Sequence, residues 1–125
     1  MTQYYSVDEA NAALLVIQPL MADIMRIRQH VLEHQPEIWP VIQKAAGNGG
    51  SKIASLIALE FGRLDDYVHQ IQDMGVIIKD LDTGLLDFPA LRNRHEVYLC
   101  WKFGEESVLF WHEIDDGFAG RQPLE

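Results

Sequence analysis

Glu96-Val97-Tyr98-Leu99-Cys100-Trp101-Lys102-Phe103, then Gly104-Glu105-Glu106, then Ser107-Val108-Leu109-Phe110-Trp111-His112 is the stretch that decides the fold. β-Branched and aromatic residues favour pleated, half-buried surfaces, so it reads as two strands turning at Gly104. Successive strand side chains point to opposite faces. Of Tyr98, Trp101, Phe103, Phe110, Trp111 and Phe118, half should therefore pack on a neighbouring layer. The rest would face outward or into a second subunit.

Upstream, Val76-Ile77-Ile78-Lys79 and Leu85-Leu86-Asp87-Phe88 read as short strands flanking the turn-forming stretch Asp80 to Gly84. Before Gly75 the apolar period is helical instead. Ser6-Val7-Asp8-Glu9 is a capping box opening a long helix whose seam is Ala10, Leu14, Ile17, Met21, Ile24 and Val31, with Arg28 filling one turn. Pro19 lies inside that helix and predicts a kink, and Pro36 predicts its end near His34 or Gln35. Residues 36–46 fit a short helix or an extended crossing. Gly47-Asn48-Gly49-Gly50 reads as a flexible linker. A second helix is expected from Ser51 to about Met74, with Gly75 closing it. The expectation is one α+β domain over residues 1–125: a long antiparallel helical hairpin over 6–74, then a small, mostly antiparallel sheet and a closing loop over 75–125.

The net charge is −9, from 19 acids against 10 bases. A nucleic-acid backbone needs a basic footprint and anionic membranes need the same, so neither is expected as a partner. Residues 104–125 hold six acids against Arg121 alone. Cys100 is the single cysteine, which excludes an internal disulfide and a cysteine-rich zinc site. The N-terminus lacks a basic start and an apolar run, and the chain reads as cytoplasmic.

His112, Glu113, Asp115, Asp116 and Arg121 stand within ten residues, beside Gly117 and Gly120. They are the leading ligand-binding candidates. Carboxylates with an imidazole suit a divalent metal, for which His112, Glu113 and Asp116 are the expected donors. Strand alternation opposes this, since His112 and Glu113 would face opposite ways. The plain alternative is a solvated acidic loop tied down by Arg121 pairing with Asp115 or Asp116. Three other clusters are weaker. His30-Val31-Leu32-Glu33-His34 matches a five-residue metalloprotease pattern but sits at a helix end before a proline. Asp80, Asp82 and Asp87 suit turn chemistry, and Arg92 to His95 suit a polar loop.

Tyr5-Ser6-Val7-Asp8-Glu9-Ala10-Asn11, Gly75-Val76-Ile77-Ile78-Lys79-Asp80 and Gly84-Leu85-Leu86-Asp87-Phe88-Pro89-Ala90 appear in that order. Glu96 to Trp101, Trp111-His112-Glu113 and Gly117-Phe118-Ala119-Gly120-Arg121 follow. With these motifs the chain resembles the DUF2203 family of uncharacterised bacterial proteins. The resemblance implies no activity, substrate or catalytic residue.

No nucleophile elbow, phosphate loop, dinucleotide fingerprint or CxxC is present. The leading functional expectation is a non-catalytic binding or assembly protein that forms a homodimer, with its protein or small-molecule partner undefined. The alternative is a small metal-assisted or acid–base enzyme acting through the His112–Arg121 segment. Under either, residues 117–124 should be ordered, with Arg121 paired to an acid of that region and Phe118 packed on the sheet. Phe118→Ala should then destabilise more than Arg121→Ala.

Overall fold

The computed structural model describes residues 3–46 and 58–124. The expected linker at 47–50 and the expected start of the second helix at Ser51 lie outside these residues. The architecture is α+β. Helix α1 spans Val7–His34, a short 3-10 turn spans Pro36–Ile38, α2 spans Trp39–Ala46 and α3 is described over Ala58–Asp73. Among the described residues α1 is the one long helix, and α3 is the shorter helix packed against it.

The ends of α1 follow from local chemistry. The Glu9 amide donates to Ser6 Oγ (3.1 Å) and the Ser6 amide donates to Glu9 Oε1 (2.8 Å), completing the capping box. Pro19 sits inside a helix that runs on to His34. Pro36 opens the next turn, and residues 36–46 are helical rather than an extended crossing. Pro40 is tolerated because it falls in the first turn of α2, where the missing N–H has no partner to lose. Trp39 is buried and its indole N–H donates to Asp82 Oδ1 (2.9 Å). Arg28 Nε donates to the same oxygen (2.8 Å). The break in the α1 seam is therefore an anchor from helix to sheet.

The sheet is an antiparallel meander in the order β1-β2-β3-β4-β5: Ile77–Asp80, Leu85–Arg92, His95–Lys102, Phe110–Glu113 and Gln122–Pro123. Its core face carries Leu86, Phe88, Ala90, Val97, Leu99 and Trp101. These pack against Ala10, Leu14, Ile17, Met21 and Ile24 of α1 and Leu64, Val68 and Ile71 of α3. All six residues of the expected α1 seam are buried.

The strands differ from expectation at several ends, and three of the differences have a clear physical reason. β2 continues through Pro89, where a strand was expected to stop. The Pro89 carbonyl accepts from the Tyr5 amide (2.7 Å), so the side of β2 lacking an N–H is a sheet edge. Arg92 pairs with His95 across a two-residue turn in which Asn93 and Arg94 both have positive φ (54° and 66°), so the expected polar loop is a tight hairpin. β4 begins at Phe110 rather than Ser107, because the Val108 amide donates to Asn11 Oδ1 of α1 (2.7 Å) and its side chain is buried. The turn expected at Gly104 is thus a longer excursion that reaches the helix.

Asp82→Ala should destabilise the protein by about 1–3 kcal/mol, the cost of leaving a buried indole N–H without its acceptor. Arg28 holds the Asp82 carboxyl below its ordinary range, despite an opposing desolvation effect. A depressed folded-state pKa stabilises above the unfolded value and is lost as pH falls through the folded one. Urea midpoints for wild type and Asp82→Ala should therefore converge at strongly acidic pH. Arg94→Gly should raise stability by about 1 kcal/mol, because glycine occupies positive φ without the Cβ penalty that arginine carries there. An unchanged or lower urea midpoint would contradict the turn geometry.

Candidate functional site

Strand register brings together residues that lie far apart in sequence. Asp87 on β2 is directly opposite Cys100 on β3, and His112 on β4 is opposite Tyr98, two residues from Cys100 on the same face. By alternation this is the face away from the helices. Asp87 and His112 are nevertheless 0% and 1% exposed at their side chains, and Cys100 is buried. Candidate ligand atoms of all three residues lie within 4.8 Å of one another.

The hydrogen bonds define the chemistry. His112 Nδ1 is 2.7 Å from the Glu113 carbonyl oxygen, which only accepts, so Nδ1 carries a hydrogen and donates it. His112 Nε2 is 2.9 Å from Asp87 Oδ1. A bare nitrogen lone pair cannot rest against a carboxylate lone pair at that distance, so something positive lies between them. A proton there gives a buried Asp–His pair, and removing one partner of such a pair costs about 3–5 kcal/mol. Asp87 Oδ2 is buried and has no hydrogen-bond partner. Burial, with the Asp87 charge second, pushes the Cys100 thiol up to about 12. At neutral pH it is protonated and unreactive as a nucleophile.

The expected cluster around His112 is dispersed. Glu113 accepts from His95 Nε2 (2.6 Å) on the opposite face of the strand, as alternation requires. Asp115 and Asp116 are exposed in the turn that follows β4. Asp116 serves a close approach: a Cβ on Gly120 would sit 2.4 Å from its own Cβ, so only glycine fits there. Arg121 pairs with neither aspartate. Its Nη2 donates to Glu105 Oε2 (2.6 Å), and Glu105 Oε1 accepts from the Lys102 amide (2.7 Å). The Arg121 guanidinium also lies 3.9 Å from the centre of the Phe110 ring and 4.6 Å from that of Phe118. Of the expected site residues, His112 alone belongs to the buried cluster.

Asp87, expected with Asp80 and Asp82 to serve turn chemistry, instead lies within β2, and sequence proximity joined neither Asp87 nor Cys100 to His112. An aspartate inside Leu85-Leu86-Asp87-Phe88 is the one local signal, since a charge amid an apolar strand needs a partner. Which partner is a matter of register. The other clusters resolve as structure. Asp80 accepts from the Asp82 amide and the Thr83 hydroxyl (3.0 Å each), a turn motif. His30 and His34 stack at 4.3 Å on the surface, and His34 Nδ1 donates to the His30 carbonyl (3.0 Å).

The C-terminal segment is ordered as expected, but Phe118 is 46% exposed rather than packed away. The relative cost of its two anchors therefore reverses. The Arg121–Glu105 pair is largely shielded, at 10% and 22% exposure, and adds two aromatic contacts. Arg121→Ala should lower the melting temperature more than Phe118→Ala, by the equivalent of about 2 kcal/mol against about 1. Equal or inverted shifts in a thermal melt would refute this ranking.

No curated protein and no solved structure matches the chain. The family described as Uncharacterized conserved protein (DUF2203) matches residues 3–124. The chain therefore belongs to the DUF2203 family.

Proposed function

We propose that this protein is a non-catalytic binding and assembly module that pairs with a second copy of itself through the first half of α1. One observation carries the reading. Residues 10–22 contain no charged side chain, and a helix that is uncharged on every face is normally buried on every face. One stripe packs into the core, yet Leu15 is 78% and Val16 is 55% exposed on another.

Ala12, Leu15, Val16 and Pro19 recur at i, i+3, i+4 and i+7, the spacing of a helix–helix contact. Beside this stripe, Leu15, Pro19 and Ala22 line an open groove of about 450 Å³ with Trp101 and Phe103. The chain carries a net charge of −9, so two copies repel except across an uncharged surface. A second copy presents such a surface, and a two-fold axis lets one stripe cover its own mate. By length and composition alone α1 could also cross a membrane. Burial of Ile17, Met21 and Ile24 against the sheet supports the reading as a core helix. The exposed aromatic and apolar residues on the sheet, Phe103 and Leu91 among them, offer further contact surface for a partner.

Metal-assisted or acid–base chemistry along His112 to Arg121 is the weaker reading. His112 is sealed, Glu113 points away from it and Arg121 is engaged by Glu105.

Light scattering at micromolar concentration should give twice the 14.3 kDa chain mass. Leu15→Lys, at an exposed position, should return the mass to that of one chain with unchanged circular dichroism. A wild-type protein that remains a single chain at these concentrations would overturn the proposal.

A further inference from the structure

We propose that Asp87, Cys100 and His112 form a binding site for one divalent transition-metal ion of the zinc or cobalt type. The donors come from three adjacent central strands and are sealed from solvent. The set is a carboxylate, a thiolate and an imidazole, the three side-chain types that Zn²⁺ accepts. A tetrahedral ion at ordinary bond lengths separates such donors by about 3.3–3.6 Å. The candidate donor atoms lie within 4.8 Å of one another, and Nε2 and Oδ1, 2.9 Å apart, would open by about half an ångström to admit the ion.

Three features of the cluster suit a bound cation. The Nδ1 hydrogen of His112 is directed at a backbone carbonyl, the outer contact that fixes a ligating histidine with its Nε2 lone pair free. That nitrogen faces Asp87 Oδ1, a contact that takes either a proton or an ion bound by both atoms. Asp87 Oδ2 is fully buried and no N–H or O–H donor reaches it; besides His112, Asp87 keeps only the weak donor of the Cys100 thiol.

Charge balance fits an ion of +2. A carboxylate, a thiolate and a neutral imidazole carry −2 together, so the loaded site is neutral. Binding exchanges two protons for the ion: one leaves the Cys100 thiol and one leaves the Asp87–His112 contact. Such an ion would act as a staple joining β2, β3 and β4. The site is separate from the α1 contact surface, so it stands or falls independently of self-association.

The test uses the whole chain, produced without an affinity tag in minimal medium supplemented with Co²⁺ and, separately, Zn²⁺. Elemental analysis should give one ion per chain, and the cobalt protein should show a thiolate-to-cobalt charge-transfer band in the near ultraviolet. Cys100→Ala removes one donor while keeping a small apolar side chain, so circular dichroism should be unchanged. It should abolish the band and lower metal content at least tenfold. His112→Gln and Asp87→Asn should lower metal content to a similar extent. A metal-free wild type, with no band and no thermal shift on cobalt loading, would establish a proton between His112 and Asp87 and overturn the proposal. Stoichiometric metal retained by both Cys100→Ala and His112→Gln would place the ion elsewhere and overturn it equally.

Discussion

The buried carboxylate of Asp87 is the constraint on which the sheet depends. A charge with no access to water must meet an opposite charge or a hydrogen-bond donor, and here it meets His112 from two strands away. A slip of one residue in β2 would turn Asp87 into the helix-facing core and bring Leu86 and Phe88 out of it. The polar contact on one face and the apolar packing on the other therefore enforce the same register. Cys100 sits between the two strands that carry the pair, and its small side chain lets the contact close over it.

Among the described residues the outer face has no helical layer of its own, and the C-terminal segment partly replaces one. After β4 the chain turns at Asp115 and Asp116, passes through a 3-10 turn at Phe118–Gly120 and returns as β5 beside Phe110 and Trp111. Arg121 lies over two aromatic rings and reaches Glu105 in the excursion between β3 and β4. The dense acidic run thus has a structural use. Among the described acids of residues 104–125, Glu105 holds the arginine, Glu113 accepts from His95 and Asp116 packs tightly against Gly120.

Helix α1 carries two apolar stripes with different fates. The first is absorbed by the sheet and α3, and its single polar interruption, Arg28, is matched by Asp82 at the β1–β2 turn. The second has no counterpart among the described residues. An uncharged surface on a strongly acidic chain is where self-association meets least electrostatic resistance. The same helix therefore organises the core and carries the exposed stripe on which the proposed self-association rests.

Much of the fold could be read from local chemistry. The capping box, the 3.6-residue seam of α1 and its end before Pro36 are set by neighbours within a few residues. The alternation after Gly75 likewise identifies the sheet. Residues 36–46 were ambiguous because tertiary contacts decide them: Trp39 is helical where its indole can reach Asp82. The candidate site was only one-third legible. Proximity in sequence grouped His112 with Glu113, Asp116 and Arg121, whereas strand alternation turned Glu113 away and the loop carried Asp116 and Arg121 to other partners. Residue types and their periods determined the helices, the sheet and the unusual character of the last third. Tertiary structure alone decided that His112 meets Asp87 and Cys100, because cross-strand pairing joins residues by register and not by distance along the chain.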